Sequence, residues 1–329
     1  MKHIVVIGGG TGTYTVLKGL KKYPLHLSAI VSMTDSGGSN RILRDEFGIL
    51  PTSDIRQCMV ALASGKSNSL IRDLFTYRFN QGTGISGMTF GNLFMAALTD
   101  ICKSQEKAIQ KTCDLLDVEG EIIPVTFSHA HLVARYENGE QVLGEHYIDE
   151  PAAGLCGQRI VGLETFPPAK ANPKAVKAIM EADMIILGPG DLYTSIICNL
   201  VVEDITHAIL DTKAKKVFVL NLMNKFGQTQ SFKAGDYLSE MKKYLSANAI
   251  DFCLVNMPAA FPQNLVRRYL QEKAEPVIDN LGGIKRPKII RRNLVSGKIH
   301  KSQKGDKLKR SLIRHDPDKL AKAIIDLLG

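Results

Sequence analysis

The residues with the clearest chemical potential lie in three short loops rich in glycine and hydroxyl side chains. The first is Gly8-Gly9-Gly10-Thr11-Gly12. A glycine turn between a strand and a helix exposes backbone N–H groups at the positive end of the helix dipole. Gly9, Gly10 and Gly12 therefore predict a phosphate cradle, and Thr11 adds a hydroxyl donor. Close packing of helix on strand is the plainer use of the same glycines. The run is not a dinucleotide fingerprint, because the third glycine counted from Gly8 is replaced by Thr13, and it lacks the Gly-Lys-Ser/Thr of a Walker loop.

The second loop is Thr34-Asp35-Ser36-Gly37-Gly38-Ser39, followed by Asn40, Arg41 and Arg44. Asp35 stands where a nicotinamide-binding fold places its ribose acid. An acid beside Gly37 and Gly38 can hold a ribose, a divalent ion or a leaving hydroxyl, and the arginines would neutralise a phosphate. If the protein is an enzyme, Asp35 is the candidate base. A capped turn, with Asp35 and Ser39 bonded to local N–H groups, is the structural alternative. The third loop, Gly188-Pro189-Gly190-Asp191-Leu192-Tyr193-Thr194-Ser195, repeats the pattern and offers Gly188, Gly190 and Thr194. Asn199 follows one helical turn later and can read the edge of a base or an amide, although asparagine also serves as a cap. Asn221 and Asn224 come after the next apolar run and are placed to face the same crevice.

The elements that must position these loops read as an α/β alternation. His3 to Ile7 is an apolar, β-branched run suited to a buried parallel strand. A helix is expected from about Thr13 to Lys22, then a strand from Leu27 to Met33 that runs into the second loop. Helical stretches dominate from about Asp54 to Leu116, interrupted by the glycine-rich 81–87. From Glu119 to Tyr147 alternating residues predict antiparallel strands with a turn at Glu137-Asn138-Gly139. Parallel character returns at Met184 to Gly190, Lys216 to Met223 and Ile250 to Asn256, and a last helix is expected over Pro317 to Leu328. Strands that end in loops at one edge of an open sheet form a ligand crevice there. The chain of 329 residues reads as one domain with a β-rich insertion near 119–150.

Composition narrows the function classes. Hydrophobic residues make up 44% of the chain and charged ones 23%, as in an ordinary globular protein. The six cysteines are scattered, with neither zinc spacing nor a C-x-x-C pair, so they read as reduced core thiols and no metal site is expected. His129, His131, His207, His300 and His315 lack a spacing partner and read as surface or capping residues. No apolar stretch is long enough for a membrane span and no secretory signal is visible, so a cytoplasmic location and no membrane partner are expected. The formal charge is +9, yet twelve Lys/Arg and only Asp306 among the acids fall between Lys285 and Arg314. That basic segment near 285–314 holds the whole excess and contains no aromatic residue, which favours a solvated loop or hairpin over a nucleic-acid surface.

With these loops in view, the chain resembles the gluconeogenesis-factor (YvcK-like) family within the CofD-like superfamily of the 2-phospho-L-lactate transferases. The resemblance is carried by VVIGGGTG at 5–12, TDSGGS at 34–39, LPTSDIRQC at 50–58, GISGMTFGNLFMAALTDI at 84–101, ADMIILGPGDLYTSIICNL at 182–200, NLMNKFGQT at 221–229 and YLQEKAEPV at 269–277. It implies a Rossmann-like three-layer α/β fold with a mostly parallel central sheet and a small antiparallel insertion. It also implies binding of a UDP-sugar such as UDP-N-acetylglucosamine, in a regulatory protein that supports cell shape and wall synthesis during gluconeogenic growth. Thr11, Asn199, Tyr269 and Arg314 would touch that ligand, and a homodimer is the family-level expectation. A CofD-type transferase, moving a phosphate-linked group to an acceptor hydroxyl with Mg²⁺, is the alternative the resemblance leaves. Departures favour holding a ligand over transforming it. Ser36 stands where the family usually has a second acid, Ile42 where it has arginine and Met88 where histidine is common, and Thr52-Ser53 precede Asp54-Ile55-Arg56. Three of these remove an ionisable group, and a thioether cannot transfer protons.

Overall fold

The computed structural model describes residues 1–65, 69–257, 261, 263–297 and 312–329. Residues 298–311 of the basic segment, His300 among them, lie outside the described residues.

Ten strands are present among the described residues: β1 (Lys2–Gly8), β2 (Leu25–Val31), β3 (Glu121–Pro124), β4 (His131–Tyr136), β5 (Gln141–Leu143), β6 (Ile160–Phe166), β7 (Met184–Leu187), β8 (Lys215–Val219), β9 (Phe252–Asn256) and β10 (Lys288–Arg292). Seven form one parallel sheet in the order β10-β9-β8-β7-β1-β2-β3. Continuous apolar runs dictate this layer. Ile4 to Ile7 and Met184 to Leu187 are wholly buried, as strands covered by helices on both faces must be. Each such side chain contributes about 1.5–3 kcal/mol by leaving water.

The chain runs outward from β1 through β2 to β3, returns, and runs outward again from β7 to β10. The reversal falls between β1 and β7, and in open α/β sheets the crevice beyond the carboxyl ends at this switch point takes the ligand. Helix α1 (Gly10–Leu20) follows β1, while α2 (Gly38–Phe47) and α3 (Ser53–Leu62) follow β2. The final helix, Pro317–Leu328, packs on α1, where Gly19 lies under the Pro317 carbonyl. No helix among the described residues is long and apolar enough to cross a membrane, and all six cysteines are free thiols.

The structure departs from the sequence reading in four places. Helix α1 begins at Gly10 instead of Thr13, so the glycines are themselves the first helical turn, entered from an extended Gly9. The run Glu121–Pro124, expected in the antiparallel insertion, pairs parallel to β2 and forms an edge of the main sheet; its Ile122 and Ile123 are both buried, a feature alternation does not explain. The antiparallel sheet therefore has the order β5-β4-β6 and extends to Phe166, beyond the expected limit near 150. Finally, part of the basic segment is strand β10, paired parallel to β9. Its charge is partly spoken for, since Arg286 meets Asp251 at 3.2 Å and Arg291 meets Asp279.

Candidate functional site

The β1–α1 turn and the loop after β7 close on each other at the switch point. A Cβ on Gly12 would overlap the Pro189 carbonyl, so only glycine permits this approach of helix to loop. Gly188 has φ +78°, a left-handed conformation, and a Cβ there would meet the Ile196 side chain at 2.8 Å. Helix α1 has no side-chain cap, so its first N–H groups are left for whatever enters the crevice. A π-helical turn, Leu192–Ile197, carries Ser195 to the same rim.

Between these loops lies a cleft of about 550 Å³, bordered by Gly9–Gly12 and Thr15 on one side and by Pro189, Gly190, Asp191 and Ser195 on the other. The stretch from Asn221 to Phe226, after β8, forms a third wall, and Tyr269 with Ile313–His315 a fourth. This volume lies within the range of small-ligand sites.

One lysine organises the charge. Lys225 Nζ lies 2.5 Å from Asp149 Oδ1 and 2.8 Å from Asp191 Oδ2. Burial alone would lower the ammonium, but Asp191 and Asp149 outweigh it and hold Lys225 above the ordinary lysine range. The same Asp149 oxygen also accepts hydrogen bonds from Gln228 Nε2 (2.9 Å) and Thr194 Oγ1 (3.1 Å). Asp149 ends a short helix, Glu145–Asp149, that follows β5, so the network ties the antiparallel insertion to the cleft. Asp54, in the first turn of α3, faces Gly9 and accepts from Gln57.

Of the residues predicted from sequence, Gly9, Gly10, Thr11, Gly12, Gly190, Asn221, Tyr269 and Arg314 border this one cleft. Asp35, Gly37, Gly38, Gly188, Thr194 and Asn199 stand outside its border. Asp35 Oδ1 accepts from the Gly37 N–H at 2.9 Å and its Oδ2 from Asn40 Nδ2 at 2.6 Å, the capped-turn arrangement. Thr194 acts through Asp149. Asn199 is fully buried and donates to the Ser195 carbonyl at 2.8 Å, one turn beneath the rim. Tyr269 is packed with Leu222, Ala274, Val295 and Ile313, and its hydroxyl oxygen accepts from the Leu312 N–H at 2.8 Å, which fixes the backbone that carries Arg314. His315, read as a surface or capping residue, is instead buried. Burial pushes its imidazole down to about 4 against the opposing pull of the Leu220 carbonyl.

The departures noted in the sequence have structural work. Ser36 donates its N–H to Glu145 Oε2 and accepts from the His146 N–H, and so docks the insertion's short helix. Ile42 and Met88 pack in an apolar cluster with Leu43, Ile49 and Ala96. Arg44 bonds the Ala130 carbonyl and His131 Nε2, joining α2 to β4. Beside Ser36, burial and then Asp35 and Asp149 raise the Glu145 carboxyl well above its ordinary range. No group of three or more His, Cys, Asp or Glu able to hold a metal ion occurs among the described residues.

Sequence reasoning passed over Lys225, Asp149 and Phe226, and misplaced His315. Their partners lie tens of residues away, and no spacing rule reaches that far.

Comparison with known proteins fits this geometry. Residues 4–295 match the family described as 2-phospho-L-lactate transferase CofD. The chain belongs to the CofD family. Within it, the chain is 36% identical to the gluconeogenesis factor of Bacillus subtilis over 328 residues, covering 99% of this chain and 98% of that protein. It is 35% identical to the gluconeogenesis factor of Listeria innocua, covering 99% and 95%. A crystal structure of a UPF0052 family member from Bacillus halodurans superposes with a TM-score of 0.89 at 33% identity, over 98% of each chain. These relatives match along nearly the whole length of the chain.

Proposed function

We propose that this protein is a gluconeogenesis factor that binds a UDP-sugar, with UDP-N-acetylglucosamine as the first ligand to test, and that occupancy of the cleft reports metabolic state. The observation that carries the reading is the uncapped first turn of α1 facing the Gly190 loop across a cleft of about 550 Å³. Backbone N–H groups and the Thr11 hydroxyl suit a diphosphate, and Arg314 adds positive charge. The role in cell shape and wall synthesis under gluconeogenic growth, the cytoplasmic location and a homodimeric state belong to the same proposal. Isothermal calorimetry with UDP-N-acetylglucosamine tests it. Saturable heat that Thr11→Val reduces supports the reading, and no heat with any UDP-sugar on folded protein rejects it. Native mass spectrometry of the purified protein, which looks for co-purified nucleotide, checks ligand identity independently.

A second reading, a CofD-type transferase, is favoured by one observation. Glu145 Oε2 accepts from the Ser36 N–H at 3.2 Å, which brings a second carboxyl against the Asp35 loop, and two neighbouring carboxyls can divide acid and base roles. Against it, Asp35 is held as a turn cap, its two oxygens accepting from the Gly37 N–H and from Asn40 Nδ2 at the start of α2. Turnover of a nucleotide-activated donor with added Mg²⁺, abolished by Asp35→Asn, would establish the transferase.

A further inference from the structure

The cleft offers much to phosphates and hydroxyls, but a nucleotide also brings a flat, poorly hydrated ring. Such a ring needs an aromatic or apolar face. Among the described residues, three planar ring side chains border the cleft: Phe226, Tyr269 and His315. Two are committed elsewhere. Tyr269 is enclosed by Leu222, Ala274, Val295 and Ile313, with its hydroxyl occupied by backbone N–H groups. His315 is buried, with its ring bonded to the Leu220 carbonyl and its Nε2 without a hydrogen-bond partner among the described residues, so it offers a polar edge and little open face. Phe226 remains, half-buried at the rim.

Its surroundings make it a fixed surface. The turn that carries it is closed by Lys225 N–H to Thr229 Oγ1 at 3.0 Å and Gly227 N–H to Gln230 Oε1 at 2.9 Å. Gly227, at φ +86°, lies against Pro151, itself a cleft residue. Lys273 Nζ sits 4.8 Å from the ring centroid, so one face of Phe226 carries a cation and a second partner can use only the other. Asn221, on the same wall, has an Oδ1 without a hydrogen-bond partner among the described residues, an acceptor suited to a donor on the edge of such a ring.

We propose that Phe226 is the platform on which the heterocyclic base of a nucleoside diphosphate stacks, and that this contact is what makes the cleft select nucleotides over other phosphorylated ligands. The proposal rests on the nucleotide-binding reading given above and names the residue that reads the base. It sets ligand class by ring shape, independently of the glycine cradle.

The chain contains no tryptophan, so Phe226→Trp installs a single indole fluorophore at the rim. Wild type, Phe226→Leu and Phe226→Trp are titrated by calorimetry with UDP, ADP, GDP and inorganic pyrophosphate, and the Trp variant also by emission. Loss of one stacked base is expected to weaken binding of the preferred nucleoside diphosphate by about tenfold in Phe226→Leu, with pyrophosphate binding unchanged. Phe226→Trp is expected to keep the nucleotide affinity and to show quenched emission on saturation. Unchanged nucleotide affinity in Phe226→Leu, or unchanged Trp emission at saturating nucleotide, overturns the proposal. Binding of ADP or GDP but not UDP, with the same dependence on residue 226, supports the platform while rejecting the UDP-sugar reading. No binding of any nucleotide by the folded wild type rejects both.

Discussion

Gly12 lies so close to the Pro189 carbonyl that a Cβ at residue 12 would overlap the carbonyl oxygen. This contact sets the width of the crevice between the β1 and β7 loops. Replacing Gly12 with Ala forces the helix and the loop apart. The expected cost is about 1–3 kcal/mol of stability, as for an overpacked core, together with loss of UDP-N-acetylglucosamine binding. Thermal melts and calorimetry on the same preparation check both.

Thr11→Val keeps the shape of residue 11 and removes its hydroxyl. A hydrogen bond to a charged phosphate is worth about 1.5–3 kcal/mol, so affinity for UDP-N-acetylglucosamine is expected to fall about tenfold or more while the melting temperature stays within a degree or two. An affinity equal to wild type would remove Thr11 from the site.

His315 gives stability a pH signature. Its imidazole is held at about 4 in the fold against 6.5 unfolded, so between these values the unfolded chain takes up a proton that the folded one refuses. Stability from this residue is intact above pH 6.5 and falls as the pH drops toward 4, by about 3 kcal/mol in all. Denaturant melts at pH 7 and pH 5 should therefore differ more for wild type than for His315→Phe, whose profile lacks this component.

Tyr269→Phe separates positioning from contact. The variant leaves the Leu312 and Ile313 N–H groups without their acceptor and is expected to speed hydrogen exchange at 312–315. A loss of ligand affinity that accompanies faster exchange marks Tyr269 as the anchor of Arg314. A loss without it marks direct contact with the ligand.

Lys225→Met removes the cation between Asp149 and Asp191. The pair is partly open to solvent, so about 1–3 kcal/mol is expected instead of the larger cost of a fully buried ion. Limited proteolysis should then cut the 131–166 insertion faster, and Lys225→Arg should restore part of the protection.

Much of the parallel sheet is visible in the chain because its central strands are unbroken apolar runs. Ile4 to Ile7 and Met184 to Leu187 admit few other readings. The edges are harder. Lys288–Arg292 offers only Ile289 and Ile290 among cations, since an edge strand buries little, and it passes for surface loop. β6 presents one buried residue at a time between Val161, Gly162 and Glu164, too weak an alternation to announce a third antiparallel strand. The glycine cradle is legible because local backbone geometry demands glycine. The fit of Lys225 between Asp149 and Asp191 is not, since it depends on how three distant segments fold together.

The order of the walls along the chain has a consequence for assembly. Gly9–Gly12 and Ile313–His315 border the same cleft from opposite ends of the described sequence. A growing chain displays the glycine turn long before the wall fixed by Tyr269 exists, so the cleft is a late, long-range product of folding that no local segment can form by itself.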